Sequence, residues 1–74
     1  MLILYGTEGC HLCHEAQSLL QQLALVWHDV DIIDDDRLLE TYGTRIPVLH
    51  LHGKELGWPF QRQDVLRFLD AAAS

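Results

Sequence analysis

The sequence predicts an α/β fold in which a four-stranded mixed sheet is flanked by helices. A short apolar run, Leu2–Tyr5, has the pattern of a buried strand, and a helical period of three and four residues begins at Cys10. Residues 48–57 indicate a hairpin, because two strand-like runs are separated by a glycine-containing turn. A strand, a crossover helix and a parallel strand followed by this hairpin predict the order β-α-β-α-β-β-α in one domain, residues 1–74.

The first half of the chain is predicted to form two strands and one helix. Leu2–Tyr5 is apolar without alternation, which is typical of a central strand covered on both faces. Over residues 10–24 apolar side chains recur at helical spacing, so an amphipathic helix carries both cysteines in its first turn. Residues 25–32 then alternate, with Val26 and Ile32 among those on the apolar face, and predict a second strand towards an edge of the sheet.

The second half is predicted to add a short helix, a hairpin and a closing helix. The acidic run Asp34–Asp36 begins a helix that reaches Tyr42 and stops at Gly43. Ile46-Pro47 forms a turn, because the residue before a proline is pushed towards extended geometry. The remaining elements are a strand at Val48–His52, a turn at Gly53-Lys54, a returning strand broken by Trp58-Pro59-Phe60, and a helix at Gln61–Ala73.

Length and charge exclude several classes of function. The chain has 74 residues, which suffice for one domain near the size at which a single core becomes marginal. Eleven acidic residues against five basic ones give a net charge of −6, which repels nucleic acid and anionic lipid. The amino terminus, MLILYG, has no basic segment and only a short apolar run, so neither a signal peptide nor a membrane span is expected. We expect a monomeric cytoplasmic protein with no nucleic-acid or membrane partner.

The string Cys10-His11-Leu12-Cys13-His14 carries the clearest sign of chemistry. A disulfide between two cysteines so close together would stabilise the fold little, because closing such a short loop removes little entropy from the unfolded chain. The string is compatible with a redox dithiol, half of a zinc site or a haem-attachment motif. In the redox interpretation Cys10 is the nucleophile, since a first helical turn stabilises a thiolate through unpaired N–H groups and the helix dipole. His11 adds partial positive charge, and Cys13, one turn deeper, resolves the mixed disulfide.

The places of two motifs along the chain are informative. Cys10-x-x-Cys13 follows ILYGTEG, at about a strand's length from the start of the chain. Thr44-Arg45-Ile46-Pro47 comes directly before the third strand, and its last three residues begin the string RIPVL. This layout resembles the thioredoxin superfamily and is most similar to the small glutaredoxin-like proteins of bacteria, over essentially the whole chain. The resemblance implies a thioredoxin-like fold and a thiol-disulfide oxidoreductase that acts on a protein or small-molecule disulfide.

The resemblance also implies a substrate site around the dithiol. It implies that Pro47 is in the cis form and faces the cysteines, which leaves the backbone of Ile46 free to pair with an extended substrate such as glutathione or a peptide. His11 and Leu12 lie between the cysteines, where such residues tune the thiols and meet the substrate. Trp58 is expected to line the rim, because the hairpin should return near the dithiol. No bound cofactor is implied, and glutathione is a candidate co-substrate.

The chain departs from glutaredoxins at the positions that bind glutathione. Glutaredoxins typically carry a glycine pair followed by an acidic or small polar residue after the fourth strand, where this chain has Gly57-Trp58-Pro59-Phe60. They also carry a basic residue just before the first cysteine, where this chain has Thr7-Glu8-Gly9. Their two cysteines enclose proline and an aromatic residue instead of His11-Leu12. The resemblance therefore leaves open whether the pair reduces, oxidises or isomerises disulfides, and whether glutathione takes part.

Haem and metal interpretations remain as alternatives with less support. Haem attachment would use His14 as an axial ligand, but the only methionine for a second ligand is Met1. The candidate zinc ligands beside the cysteines are His14, His28, His50 and His52. Because the chain has no second C-x-x-C and no H-x-x-x-H spacing, we predict no metal ligands. A cluster bridging two copies, and a non-catalytic thioredoxin-fold module for interaction or metal binding, are the other hypotheses.

Overall fold

The computed structural model describes residues 1–73, and its helices and strands follow the predicted order. The elements are β1 (Ile3–Gly6), α1 (His11–Gln22), β2 (His28–Asp31), α2 (Asp36–Tyr42), β3 (Val48–Leu51), β4 (Lys54–Gly57) and α3 (Arg62–Ala73). A 3₁₀ turn, Ile32–Asp34, connects β2 to α2. Within residues 1–73, no helix is both long enough and apolar enough to cross a membrane.

The four strands form a mixed sheet in the order β2-β1-β3-β4. β1 pairs with β2 in parallel and with β3 in antiparallel orientation, and β3 and β4 form an antiparallel hairpin. β1 is therefore central and β2 lies at an edge, as predicted. In register, Gly6 pairs with Asp31, Tyr5 with Val48, and Val48 with Gly57. The ends of β1 and β4 and the start of β3 thus lie at one end of the sheet.

The helices cover both faces of the sheet. Side chains alternate along β1, so that Leu4 points to one face and Tyr5 to the other. On the first face α1 and α3 bury the larger core cluster, which consists of Leu2, Leu4, Ala16, Leu20, Leu49, Phe60, Val65 and Phe68. On the second face α2 covers a smaller cluster of Ile32, Tyr42 and Val48. The removal of this apolar surface from water is the main source of stability.

The second strand is shorter than the alternation predicts. α1 ends before Ala24, which adopts the left-handed conformation with φ 56°, and the chain joins the sheet only at His28. Val26 is 91% exposed, so its predicted place on the apolar face of the strand is wrong. Ile32 is buried as predicted, but it lies in the 3₁₀ turn that follows the strand. Local alternation could not locate these bounds, because pairing with β1 decides where the strand begins.

The hairpin turn lies one residue earlier than predicted. His52 and Gly53 occupy it with φ values of 50° and 78°, the pair of positive φ values that a type I′ turn requires, and Lys54 begins β4. Glycine adopts this conformation without steric cost. His52, which was predicted to belong to the strand, therefore lies in the turn, and its Nδ1–H donates to the carbonyl of Ala72 at 3.0 Å.

Tyr42 joins α2 to the sheet through its ring and its hydroxyl group. The ring stacks on Tyr5 with the centroids 4.4 Å apart, and the hydroxyl donates to the carboxylate of Glu55 in β4. Arg45 places its guanidinium carbon 5.1 Å from the centroid of the Tyr42 ring and Nη1 3.7 Å from Oε1 of Glu55. The hydrogen bond to Glu55, together with burial and the charge of that carboxylate, raises the pKa of Tyr42 to about 12.

We expect the free energy of unfolding to fall as the pH rises from 10 to about 12, and Tyr42→Phe to lack this contribution. In this window the phenol is protonated in the folded chain and ionised in the unfolded chain, so alkali favours unfolding. Urea titrations of both proteins across the window measure the difference. At neutral pH the variant should be about 1 kcal/mol less stable, because it lacks the hydrogen bond. The same pH dependence in both proteins would contradict the expectation.

Candidate functional site

The two cysteines lie at the amino-terminal end of α1, after the loop that leaves β1. Cys10 is the N-cap residue and keeps an extended backbone with φ −83° and ψ 107°, while Cys13 lies in the first turn. Their sulfur atoms form a disulfide, and their Cα atoms are 5.2 Å apart. The backbone N–H of Cys13 donates to Sγ of Cys10 at 3.1 Å. Cys10 therefore caps the helix from outside, and only Cys13 lies within the helical turn in which both were predicted.

The two cysteines differ in their exposure. Cys13 is 3% exposed, whereas Cys10 is half-buried. The N–H of Cys13 is one of the N–H groups that an α-helix leaves without a partner at its start, and here it points to the Cys10 sulfur. Such a donor and the helix dipole favour negative charge on Cys10 when the disulfide is reduced, whereas burial disfavours it on Cys13. The geometry thus defines an outer cysteine, Cys10, and an inner one, Cys13.

Gly6 leaves room for the inner cysteine at the end of β1. A Cβ atom on Gly6 would lie 2.9 Å from Sγ and 3.3 Å from Cβ of Cys13, closer than such atoms approach without displacement. Gly6 is itself buried. The missing side chain therefore allows Cys13 to pack directly on the sheet, which the sequence alone did not indicate.

Gly6→Ala is expected to destabilise the oxidised protein by about 1–3 kcal/mol, the usual cost of overpacking a buried position. The added methyl group meets a side chain that the disulfide holds in place. Gly57→Ala is the matched control, because it also lies at a strand end and its added carbon has no neighbour within 4 Å. The control should change the free energy of unfolding by less than about 0.5 kcal/mol. Urea denaturation measures both, and equal stability of the two variants would show that Cys13 moves aside freely.

The structure brings three more residues of the predicted site to the cysteine end of the sheet. Pro47 is buried and precedes β3, and Trp58 follows β4 and is half-buried. The N–H of Trp58 donates to the carbonyl of Pro47 at 3.1 Å. The peptide bonds Ile46–Pro47 and Trp58–Pro59 are both cis. Because β1 ends beside the start of β3, the Ile46–Pro47 segment and Trp58 share the end of the sheet at which Cys10 caps α1.

The backbone of Ile46 is less free than the resemblance implies. Its N–H donates to the carbonyl of Tyr42 at 3.1 Å, and the N–H of Arg45 donates to the same carbonyl at 2.8 Å. The last carbonyls of a helix have no partner within it, so the following loop supplies donors to the end of α2. The N–H of Ile46 is therefore not free to donate to a substrate that lies along this segment.

The other residues of the cysteine motif are exposed. The His11 side chain is 88% exposed, with Nε2 3.8 Å from Oε2 of Glu15, and Leu12 is 43% exposed. His14 is exposed, and its backbone N–H donates to the carbonyl of Cys10 at 3.2 Å. Contacts of His11 and Leu12 with a substrate stay predictions. Among the side chains of residues 1–73, no group of three or more His, Cys, Asp and Glu is placed to hold a metal ion.

A groove of about 350 Å³ opens beside the disulfide, between α1, β2 and the loop after β1. The polar and sulfur-bearing residues that line it include Glu8, Cys13, His14, Gln17, Asp29 and Asp31. Parallel pairing sets Asp29 beside Leu4 and Asp31 beside Gly6, on the face that α1 covers. Sequence reasoning did not include these carboxylates in the site. Alternation along β2 was the available signal, but only the pairing shows which face is turned towards α1.

The comparisons with known proteins identify the family. The family model described as a glutaredoxin-like domain (DUF836) matches residues 1–70. No match is found among curated proteins. The match to the family model spans both cysteines and the Ile46–Pro47 segment.

Solved structures agree with the family model. The X-ray structure of the Northeast Structural Genomics target XcR50 from X. campestris is 43% identical, with a TM-score of 0.88 and coverage of 97% of this chain and 99% of that chain. The solution structure of the same target is 44% identical, with a TM-score of 0.85 and coverage of 96% and 94%. Protein Ne2328 from Nitrosomonas europaea is 33% identical, with a TM-score of 0.75 and coverage of 92% and 87%. The resemblance inferred from the motifs is confirmed, and the chain belongs to the glutaredoxin-like family of the thioredoxin superfamily.

Proposed function

We propose that the protein is a thiol-disulfide oxidoreductase in which Cys10 attacks and Cys13 resolves. The arrangement of the pair carries the proposal, because the outer sulfur caps α1 and accepts the N–H of Cys13 at 3.1 Å, while the inner cysteine is 3% exposed. An incoming sulfur atom therefore reaches Cys10 first. Membership of a glutaredoxin-like family supports redox chemistry for the pair.

The reduced protein acts in two exchange steps. The Cys10 thiolate attacks one sulfur of the substrate disulfide, an S–S bond forms at Cys10, and the other substrate sulfur leaves and takes a proton from solvent. Cys13 then loses its proton and attacks Sγ of Cys10, which forms the Cys10–Cys13 disulfide and releases the second substrate thiol. The substrate gains two electrons and two protons. The protein loses the two electrons and the proton of Cys13, which the second substrate thiolate takes up, and solvent supplies the other proton. A cellular thiol reductant restores the dithiol.

The surroundings of the outer cysteine supply a surface for the substrate. His11 and Leu12 present exposed side chains beside it, and Ile46, Pro47 and Trp58 lie at the same end of the sheet. The substrate class is a protein or small-molecule disulfide, and thiol exchange at this pair needs no bound cofactor. A reducing compartment such as the cytoplasm keeps the dithiol ready for another turnover.

Titration of the Cys10 thiol and an exchange assay test the proposal. In the reduced protein we expect a pKa for Cys10 well below the ordinary value of about 8.5, measured by thiolate absorbance with Cys10→Ser as the blank. The reduced protein should also exchange with a protein disulfide or with a glutathione mixed disulfide in a single turnover. An ordinary pKa together with no exchange on either substrate would favour a non-catalytic binding module instead.

A further inference from the structure

Charge is distributed unevenly along the chain. Seven of the eleven acidic residues precede Arg37, and none of the five basic residues does. Both cysteines, α1 and β2 belong to this acidic half. The groove beside the disulfide is lined by residues between Leu4 and Asp31, so neither lysine nor arginine contributes to its wall.

Three carboxylates, Glu8, Asp29 and Asp31, line this groove. Glu8 is exposed in the loop that leads to the outer cysteine, and the two aspartates come from β2. Oδ1 of Asp29 accepts the indole N–H of Trp27 at 2.9 Å, and Oδ1 of Asp31 accepts the backbone N–H of Ile33 at 3.0 Å. These donors are neutral, so they hold the carboxylates in place without cancelling the negative charge.

The basic residue closest in sequence to the Ile46–Pro47 segment is turned away from the groove. Arg45 lies over the ring of Tyr42, at 5.1 Å from its centroid, and pairs with Glu55 at 3.7 Å. Tyr42 belongs to the core cluster beneath α2, on the opposite face of the sheet from α1. Arg45 therefore does not compensate the negative charge of the groove.

We propose that the dithiol acts on polypeptide disulfides whose cysteine is flanked by lysine or arginine, with one basic side chain in the groove. The inference rests on the proposed function and names its substrate class. Carboxylates in a concave site attract cations and raise the rate of productive encounter. Because Cys13 lines the groove and is bonded to Cys10, a cation within the groove lies beside the cysteine pair. Leu12 is exposed and Trp58 is half-buried, so both can make apolar contacts with a peptide. A small cationic disulfide could not make these contacts, so they favour a polypeptide substrate.

The same charge disfavours glutathione, which is an anionic tripeptide. Glu8 stands before the first cysteine, where glutaredoxins carry a basic residue, and Trp58 replaces the second glycine of their glutathione-binding pair. The first departure replaces attraction for an anion by repulsion, and the second puts a bulky side chain where the glutathione-binding pair has none. The lining of the groove and the sequence around Cys10 thus favour a substrate of the opposite charge.

Three synthetic peptide disulfides that differ only in lysine, serine or glutamate beside the cysteine test the substrate class. For each peptide, the single-turnover rate with the reduced protein is divided by the rate at which a neutral small thiol reduces the same peptide. This ratio removes differences in the intrinsic reactivity of the peptide disulfides. At about 20 mM salt we expect the lysine peptide to react about tenfold faster than the serine peptide, and the glutamate peptide to be slowest. At about 0.5 M salt, where the screening length is about 4 Å, the preference should fall to within about twofold.

Equal normalised rates at low salt, or a faster glutamate peptide, would overturn the inference and leave the proposed function intact. Exchange with none of the peptides and with no other disulfide would overturn the proposed function, and the inference with it. The two failures are therefore distinguishable in one set of measurements.

Variants locate the source of the preference. The triple variant Glu8→Gln, Asp29→Asn, Asp31→Asn keeps the hydrogen-bond acceptors and removes the charges, so the lysine peptide should lose its advantage over the serine peptide. The matched control is Glu40→Gln, which removes an exposed carboxylate from α2 and should keep the full preference. The three single variants, each expected to lose part of the preference, serve as a second test if the triple variant is unfolded by circular dichroism. Full preference in every groove variant would overturn the role of the groove.

Discussion

Cys10→Ser is expected to reduce disulfide exchange to the rate without protein, whereas Cys13→Ser is expected to complete the first step and then stop. A serine hydroxyl at neutral pH is a far weaker nucleophile towards sulfur than a thiolate. Without the inner thiol, the mixed disulfide at Cys10 has no internal attacker and accumulates. With a disulfide of two separate thiols as substrate, intact-mass measurement should therefore find one substrate thiol attached to Cys13→Ser and none attached to Cys10→Ser.

The comparison between the two variants contains its own control. Each loses one sulfur atom and the Cys10–Cys13 disulfide, so any general effect of losing the disulfide is shared. The opposite result, with substrate captured by Cys10→Ser and not by Cys13→Ser, would show that the buried cysteine attacks first. In that case the exposure difference between the two cysteines would not decide the order of the steps.

Leu20→Ala is expected to lower the free energy of unfolding by about 2–5 kcal/mol. Leu20 is 0% exposed on α1, within the core cluster that joins α1, α3 and the sheet, so its truncation leaves a cavity. A chain of 74 residues has a total stability of about 4–11 kcal/mol. This single change therefore removes a large fraction of the stability, and urea denaturation with circular dichroism should show a much lower midpoint.

Leu66→Ala provides the matched control on α3. Leu66 is 48% exposed and the substitution is chemically the same, also within a helix, so the expected change is within about 0.5 kcal/mol. Similar losses in the two variants would mean that helix propensity, and not burial in the core cluster, governs the effect at Leu20.

The hairpin and the second strand show how far local patterns predict the fold. The turn between β3 and β4 was predicted within one residue, because glycine at a positive φ is a strong local preference. The beginning of β2 was predicted three residues too early. The alternation starts at Leu25, but pairing with β1 starts only at His28. Val26 is consequently exposed, although its neighbours in sequence suggested a buried face.

The candidate site shows the same division. The cysteine pair, the Ile46–Pro47 segment and Trp58 could be named from motifs, because each is a short string with a known place in the family. Gly6 and the aspartates of β2 could not be named, because their contacts with Cys13 and α1 depend on strand pairing. The N–H of Ile46 likewise turned out to be engaged by the end of α2, a contact that no motif records.

The order of the elements, the central position of β1 and the cysteine pair at the start of α1 could all be predicted from the amino-acid sequence. These features depend on periodicity, capping and chain connectivity, which act between residues close together in the chain. The exposure of Cys10 relative to Cys13, the need for a residue without a side chain at Gly6 and the position of the β2 aspartates beside the dithiol follow only from the folded structure. These features depend on contacts such as the pairing of Gly6 with Asp31, residues far apart in sequence that the parallel register of β1 and β2 brings together.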